Sequence, residues 1–66
     1  MQLTVNGEVT EVRDGATLAD LVASRLRSDK GVAAAIDGEV APKTTWPAVV
    51  LADGQAVELL TAVQGG

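Results

Sequence analysis

The residues that decide the fold are the last ten of the chain, Val57-Glu58-Leu59-Leu60-Thr61-Ala62-Val63-Gln64-Gly65-Gly66. Residues 57–63 are mostly apolar and predict a β-strand. Residues 64–66 end in two glycines. Because glycine lacks Cβ, this short segment can adopt backbone conformations closed to other residues and can enter a narrow channel. We therefore expect a folded domain over residues 1–63 and a flexible tail over residues 64–66 that presents a free carboxylate.

The terminal glycine pair has a functional explanation and two trivial ones. Glycine makes up roughly 7% of an average protein, so chance gives such a pair with odds of about 1 in 200. A frayed terminus or residues left from cloning would leave the pair without a role, although Met1 resembles a natural start and no tag is visible. The pair alone does not decide between these explanations, and the rest of the chain must.

The composition restricts what the chain can do by itself. Its 66 residues make one small domain, and a domain of this size buries only about 60% of the surface of its unfolded chain. The apolar share is 47%, most of it Ala and Val, and Trp46 is the only aromatic residue. The predicted core is thin and aliphatic, with little room for a ligand pocket.

Cysteine and histidine are both absent. Disulfides and thiolate nucleophiles are thereby excluded, and the commonest metal ligand and neutral-pH base are missing. We expect no catalytic residue of its own, no metal site and no bound cofactor.

The net charge of −4 disfavours nucleic acid and anionic membranes as partners, because both reward Lys and Arg. It permits a basic partner surface, although a solvated acidic face is the simpler interpretation. No apolar run approaches the ~20 residues that span a bilayer, and no signal peptide is recognised. We expect the protein in the cytoplasm.

The chain opens with a predicted hairpin. Residues 1–5 alternate between apolar and polar, as a strand does. Asn6-Gly7 is the strongest short hairpin signal because both positions tolerate positive φ. Residues 8–12 return as the second strand, and a two-residue turn places Val5 opposite Glu8.

A helix is predicted after the hairpin. The Thr17 hydroxyl can accept a hydrogen bond from the Asp20 N–H, and the Asp20 carboxylate can accept one from the Thr17 N–H, which is a capping-box pattern. The apolar residues that follow recur at helical spacing: Leu18, Leu21, Val22 and Leu26. Gly31 is the predicted stop. Arg25 and Arg27 are predicted to be solvated near the negative end of the helix.

Short elements fill the second half of the chain. Residues 32–36 predict a third strand. Residues 39–41 predict a short fourth strand that Pro42 ends or leaves at a sheet edge. Residues 43–47 predict a loop in which Trp46 covers the core.

The Asp53-Gly54 turn leads into the last strand, which we predict to lie centrally beside the first. The order β-β-α-β-β-β indicates a small α+β domain with the helix on one face of the sheet. Leu60 and Ala62 would then point to solvent, and together with Val63 they are candidate partner-docking residues. Singly exposed apolar residues are ordinary, which is the competing interpretation.

Seven stretches form a pattern together: residues 3–8 (LTVNGE), 17–22 (TLADLV), 32–40 (VAAAIDGEV), Pro42-Lys43, Trp46, Asp53-Gly54 and 62–66 (AVQGG). The pattern resembles the thiamine-biosynthesis sulfur carriers, the ThiS-like family, over nearly the whole chain. The resemblance implies the ubiquitin-like β-grasp fold, with a mixed sheet of four to five strands packed on one helix. Asp37 and Gln55 depart from the family, which commonly has Asn at the first position and an acidic residue at the second. Both positions fall in predicted turns.

The resemblance also implies a reaction at Gly66. An E1-like adenylating enzyme uses ATP to convert its carboxylate to an acyl-adenylate. A sulfur donor, either a cysteine desulfurase or a persulfide protein, then displaces AMP. The Gly66 thiocarboxylate gives its sulfur to the thiazole ring on thiazole synthase. Gln64 and Gly65 are the residues that would thread the partner's channel.

Several alternatives remain. The small subunit of molybdopterin synthase shares the fold and tail but is usually longer and richer in Phe. Carriers of other sulfur-transfer pathways, and ubiquitin-like protein modifiers joined to lysines, also end in Gly-Gly. A plain interaction domain with an inert tail is the last alternative.

Overall fold

The computed structural model describes residues 1–61, and these form a five-stranded mixed sheet with one α-helix against it. In chain order the elements are β1 (Gln2–Val5), β2 (Glu8–Glu11), α1 (Leu18–Arg25), β3 (Val32–Ile36), β4 (Glu39–Ala41), a 3₁₀ helix (Lys43–Ala48) and β5 (Ala56–Thr61). The strands are arranged β2-β1-β5-β3-β4 across the sheet. The predicted α+β class, with four to five strands on one helix, is confirmed.

The opening hairpin has the predicted register. Val5 lies opposite Glu8, and Leu3 lies opposite Thr10. The turn takes positive φ at both Asn6 (53°) and Gly7 (85°), as a tight two-residue turn requires. Because side chains alternate along a strand, this register buries the apolar residues of β1 beneath the helix.

The helix begins as predicted but ends earlier. Thr17 Oγ1 accepts from the Asp20 N–H at 3.1 Å, and the Thr17 N–H donates to Asp20 Oδ2 at 3.0 Å. At the other end Leu26 is already extended, with φ −129° and ψ 144°, and its side chain packs against the core. The prediction that Gly31 stops the helix is wrong. Gly31 has φ +70° in the turn before β3, where a left-handed residue is needed.

The prediction of a loop over residues 43–47 is also wrong in part, because a 3₁₀ helix forms there. The Thr45 N–H donates to the Pro42 carbonyl oxygen at 2.9 Å, the short-range pattern of this helix type. Trp46 is buried, and its indole Nε1–H donates to the Ala41 carbonyl oxygen at 2.9 Å. The prediction that Trp46 covers the core is confirmed.

The last strand lies in the middle of the sheet, as predicted. β5 pairs in parallel with β1 and antiparallel with β3. The structure starts this strand at Ala56, one residue before the predicted start, and describes it to Thr61. Residues 62 and 63, which the prediction included, lie outside the described residues.

The core lies between α1 and the sheet. Its buried members come from the sheet, both helices and the loop before β5: Leu3, Val5, Leu18, Leu21, Val22, Ala34, Trp46, Leu51, Val57 and Leu59. Within residues 1–61, neither helical segment is long and apolar enough to cross a membrane.

Candidate functional site

The candidate site is the end of β5, from which residues 62–66 continue. The side chains of Val57 and Leu59 point into the core, and these residues are 1% and 8% exposed. Leu60 points outward and is 69% exposed. The predicted outward orientation of Leu60 is therefore confirmed. The remaining predicted site residues, Ala62, Val63, Gln64, Gly65 and Gly66, lie outside the described residues.

Asn6 holds β5 from the β1 side. Its backbone N–H donates to the Val57 carbonyl oxygen at 2.9 Å. Its side-chain Oδ1 accepts from the Leu59 N–H at 2.8 Å, across 53 residues of sequence. One turn residue therefore makes two hydrogen bonds to the strand that leads to the tail.

Asp37 makes a similar contact from the β3 side, at the start of β5. Its N–H donates to the Ala56 carbonyl oxygen at 2.8 Å, and its Oδ1 accepts from the Ala56 N–H at 2.9 Å. Asp37 has φ +51°, a conformation that Asn and Asp tolerate better than most residues. The carboxylate fills an acceptor role that an Asn side-chain oxygen can also fill, so this departure from the resembled family keeps the contact.

Gln55, the second departure, also lies in a turn. Its Oε1 accepts from the Ala52 N–H at 2.7 Å, closing the turn before β5. Its carbonyl oxygen accepts from the Thr4 N–H at 2.9 Å. Both departures therefore lie at predicted turn positions and take part in anchoring the start of β5.

The face of the sheet opposite α1 carries exposed apolar side chains. The pairing places Leu60 beside Ala33, and it places Ala35 between Glu58 and Val40. Side chains from four of the strands form this open face: Val9, Ala33, Ala35, Val40, Ala56, Glu58 and Leu60. Its alanines keep the centre shallow, and Val9, Val40 and Leu60 are each about 70% exposed. Single exposed apolar residues are ordinary, but three on one face of a small domain make a surface that a partner can cover.

A groove on the other face borders the end of β5. Its lining combines sheet and helix residues: Val5, Asn6, Arg25, Leu26, Leu59 and Thr61. Arg25 Nη2 donates to Thr10 Oγ1 at 2.9 Å. The prediction that Arg25 is simply solvated at the helix end is therefore incomplete, because the side chain ties α1 to β2.

The start of α1 carries a carboxyl group with a displaced pKa. The Thr17 backbone N–H lowers the pKa of Asp20 below its ordinary value, helped by the Thr17 hydroxyl and by Arg13. Within residues 1–61, the carboxylates do not form a group of three or more that could hold a metal ion.

The sequence could not reveal the side-chain contacts of Asn6 and Asp37 with β5. The Asn-Gly and Asp-Gly pairs signal tight turns. A turn signal is local, whereas these acceptors meet donors on a strand placed by the whole fold.

The sheet order, with a central β5 parallel to β1 and a single helix across one face, is that of the ubiquitin-like β-grasp class. Within that class, the chain belongs to the ThiS family, whose model matches residues 2–66.

Solved structures of the same kind are similar over the whole chain. A crystal structure of the thiamine biosynthesis protein ThiS from Geobacter metallireducens has 30% identity and a TM-score of 0.84, with 100% of each chain covered. An NMR solution structure of a thiamine biosynthesis protein from Geobacter metallireducens has 30% identity and a TM-score of 0.83, with 100% of this chain and 88% of that chain covered. Among curated protein sequences, none matches significantly.

Proposed function

We propose that this protein is a sulfur carrier of thiamine biosynthesis, whose Gly66 carboxylate becomes a thiocarboxylate that donates sulfur for thiazole formation. The observation that supports this most is its membership of the ThiS family over residues 2–66, a match that includes the terminal Gly65-Gly66. The two thiamine biosynthesis proteins with the same fold support the same role.

The proposed chemistry begins with activation, because a carboxylate has no good leaving group. A carboxylate oxygen of Gly66 attacks the α-phosphorus of ATP on the partner enzyme, and pyrophosphate leaves. The terminal sulfur of a donor persulfide then attacks the acyl carbon, and AMP leaves. A thiol cleaves the resulting acyl disulfide, which releases the thiocarboxylate and leaves the thiol and donor sulfurs joined in a disulfide.

In this scheme the chain is a substrate: its terminal carboxyl reacts, and its folded domain is the part that partner enzymes bind. It contains neither Cys nor His, so the adenylating enzyme, the sulfur donor and thiazole synthase supply the catalytic groups. Gln64 and Gly65 thread the partner's channel. Gly65 and Gly66 reach the catalytic centre without side chains that could clash.

The open face is the proposed docking surface for the partner, and Leu60 belongs to it. Ala62 and Val63, which follow in the sequence, are proposed as docking residues with it. The apolar residues of the open face surround Glu58, whose exposed carboxylate suits a partner patch that is apolar with a cationic group opposite. Binding energy from such a remote surface can be used to position the reacting carboxyl.

The test is intact-mass analysis after incubation with the adenylating enzyme, ATP and a persulfide source. We expect the mass change of one oxygen replaced by one sulfur, located at Gly66 by fragmentation and absent without ATP. A chain extended by one alanine after Gly66 keeps the fold and should remain unmodified. An unchanged wild-type mass with an enzyme that modifies its own carrier would refute the proposal.

A second test identifies the sulfur acceptor. Expression in a carrier-deleted strain should restore growth on medium without thiamine. A parallel strain that lacks the small subunit of molybdopterin synthase should not regain molybdoenzyme activity. The reverse result would assign the sulfur to molybdopterin, and isopeptide-linked conjugates in lysate would instead indicate a protein modifier.

A further inference from the structure

The backbone pairing of β1 with β5 stops early. It covers Thr4 with Ala56 and Val5 with Val57, after which the chain turns at Asn6-Gly7. In a regular parallel ladder, the next rung would join the Leu59 N–H to the backbone carbonyl of Asn6. The left-handed conformation of Asn6, with φ +53°, turns the backbone away from that position.

The Asn6 side chain takes over this rung. Its Oδ1 accepts from the partly buried Leu59 N–H at 2.8 Å, while its own N–H still donates to the Val57 carbonyl oxygen at 2.9 Å. A buried N–H without an acceptor is costly, so the side chain extends the ladder where the main chain cannot.

We propose that Asn6 is a positioning residue for the reaction at the chain end, an inference that rests on the proposed sulfur-carrier function. Beyond Val57, the last part of β5 pairs with β3 through Ala34–Leu59, Ala33–Leu60 and Val32–Thr61. Asn6 provides the hold on the opposite side. It therefore fixes the direction of β5 up to Thr61, the last residue described before the segment that carries the carboxyl of Gly66.

This direction matters because the partner holds one part of the carrier and modifies another. Rate gains from positioning are lost when the segment between the two is misaligned, and a displacement of about 1 Å can cost as much as 100-fold. Loosening the Leu59 rung should slow the chemical step and leave the binding surface intact.

Asp37 supplies a matched control. It is also a turn residue with positive φ (51°), it is followed by glycine, and its Oδ1 also accepts from a β5 N–H, that of Ala56 at 2.9 Å. This contact is at the beginning of β5, away from the tail. Asn6→Gly and Asp37→Gly each keep a residue suited to the turn and remove one side-chain acceptor.

The experiment measures thiocarboxylate formation by the adenylating enzyme and the persulfide donor with wild type and both glycine variants, after thermal unfolding has shown that each is folded. We expect Asn6→Gly to lower kcat by about tenfold with KM for the carrier little changed, and Asp37→Gly to keep the wild-type rate. Asn6→Asp retains an acceptor oxygen and tolerates the turn, so it should restore most of the rate. Equal kcat values for the two glycine variants would overturn the inference. So would a higher KM for the carrier in Asn6→Gly with kcat unchanged.

Amide hydrogen exchange provides a readout that does not depend on sulfur chemistry. The Leu59 N–H should exchange faster in Asn6→Gly than in Asp37→Gly or wild type. If wild type is not modified, the proposed function fails, and the exchange measurement still decides whether Asn6 holds the strand. Unchanged exchange at Leu59 in Asn6→Gly would overturn the positioning role by itself.

Discussion

Trp46 and Ala41 are joined by a hydrogen bond of 2.9 Å from the indole Nε1–H to the carbonyl oxygen. The bond links the 3₁₀ helix to the edge strand β4, and Trp46 is 3% exposed. The only aromatic side chain of the protein is therefore both a part of the core and a tie between two elements.

We predict that Trp46→Phe loses about 1 kcal/mol of unfolding free energy, because the ring volume is partly kept and one hydrogen bond is removed. Trp46→Ala should lose about 3–5 kcal/mol, because it also leaves a cavity. Urea unfolding followed by circular dichroism gives both values, since tryptophan fluorescence is lost in these variants. Equal losses in the two variants would show that the ring's volume contributes little.

A second prediction concerns Leu18, which is 0% exposed. Leu18→Ala should cost about 2–5 kcal/mol, a large fraction of the unfolding free energy of roughly 5 kcal/mol expected for a small domain. Leu18→Met keeps the volume and should cost under about 1.5 kcal/mol. Val9→Ala, at a side chain 71% exposed, is the surface control. Thermal unfolding by circular dichroism should order the variants in this way, and a Leu18→Ala midpoint equal to that of Leu18→Met would contradict the packing argument.

A third prediction concerns pH. The Thr17 backbone N–H lowers the pKa of Asp20 in the folded protein. The unfolded chain therefore binds this proton more readily. The contribution of Asp20 to stability is fully present above the ordinary aspartate pKa of about 3.9. It is lost as pH falls through the lower folded value.

Comparison of thermal midpoints from pH 7 to pH 2 checks this. Asp20→Asn keeps a side-chain oxygen but removes the titration, so its midpoint should fall less than that of wild type over the acidic range. Glu39→Gln removes one carboxylate from β4 and corrects for the general loss of negative charge. A wild-type advantage over Asp20→Asn that persists unchanged at the lowest pH would contradict the assignment.

A fourth prediction tests the open face. Leu60→Ser should change stability by under about 0.5 kcal/mol, because the side chain is exposed. Because Leu60 is proposed to contact the partner directly, Leu60→Ser should raise the KM for the carrier, measured with the adenylating enzyme, by about tenfold. Val50→Ser is the control. Val50 is also exposed, at 61%, but its backbone pairs with Thr17 outside the named strands, so it is not part of the open face. Steady-state kinetics decide the matter, and equal KM values for the two variants would remove Leu60 from the docking surface.

Local sequence signals predicted most of the fold. The Asn6-Gly7 turn fixes the pairing of Val5 with Glu8 because a two-residue turn permits one register. The capping box of Thr17 and Asp20 needs only residues within one helical turn. The central place of β5 beside β1 was also predicted.

The errors arose where tertiary contacts decide. Leu26 leaves the helix because its side chain packs against the core in an extended conformation, so Gly31 is not needed as a stop. The 3₁₀ helix after Pro42 forms where Trp46 is drawn into the core. The acceptor roles of Asn6 and Asp37 depend on where β5 lies, which no local pattern contains. Of the predicted site residues only Leu60 lies in the described part of the chain.

The central position of β5 has a mechanical consequence. In the proposed function, an enzyme that draws the chain end into its channel would apply tension along this strand. Because β5 is paired with both β1 and β3, hydrogen bonds on two sides would share this load in shear, whereas an outer strand would have only one neighbour to share it. The central position of β5 would therefore let the proposed partner pull on the chain end without disrupting the sheet.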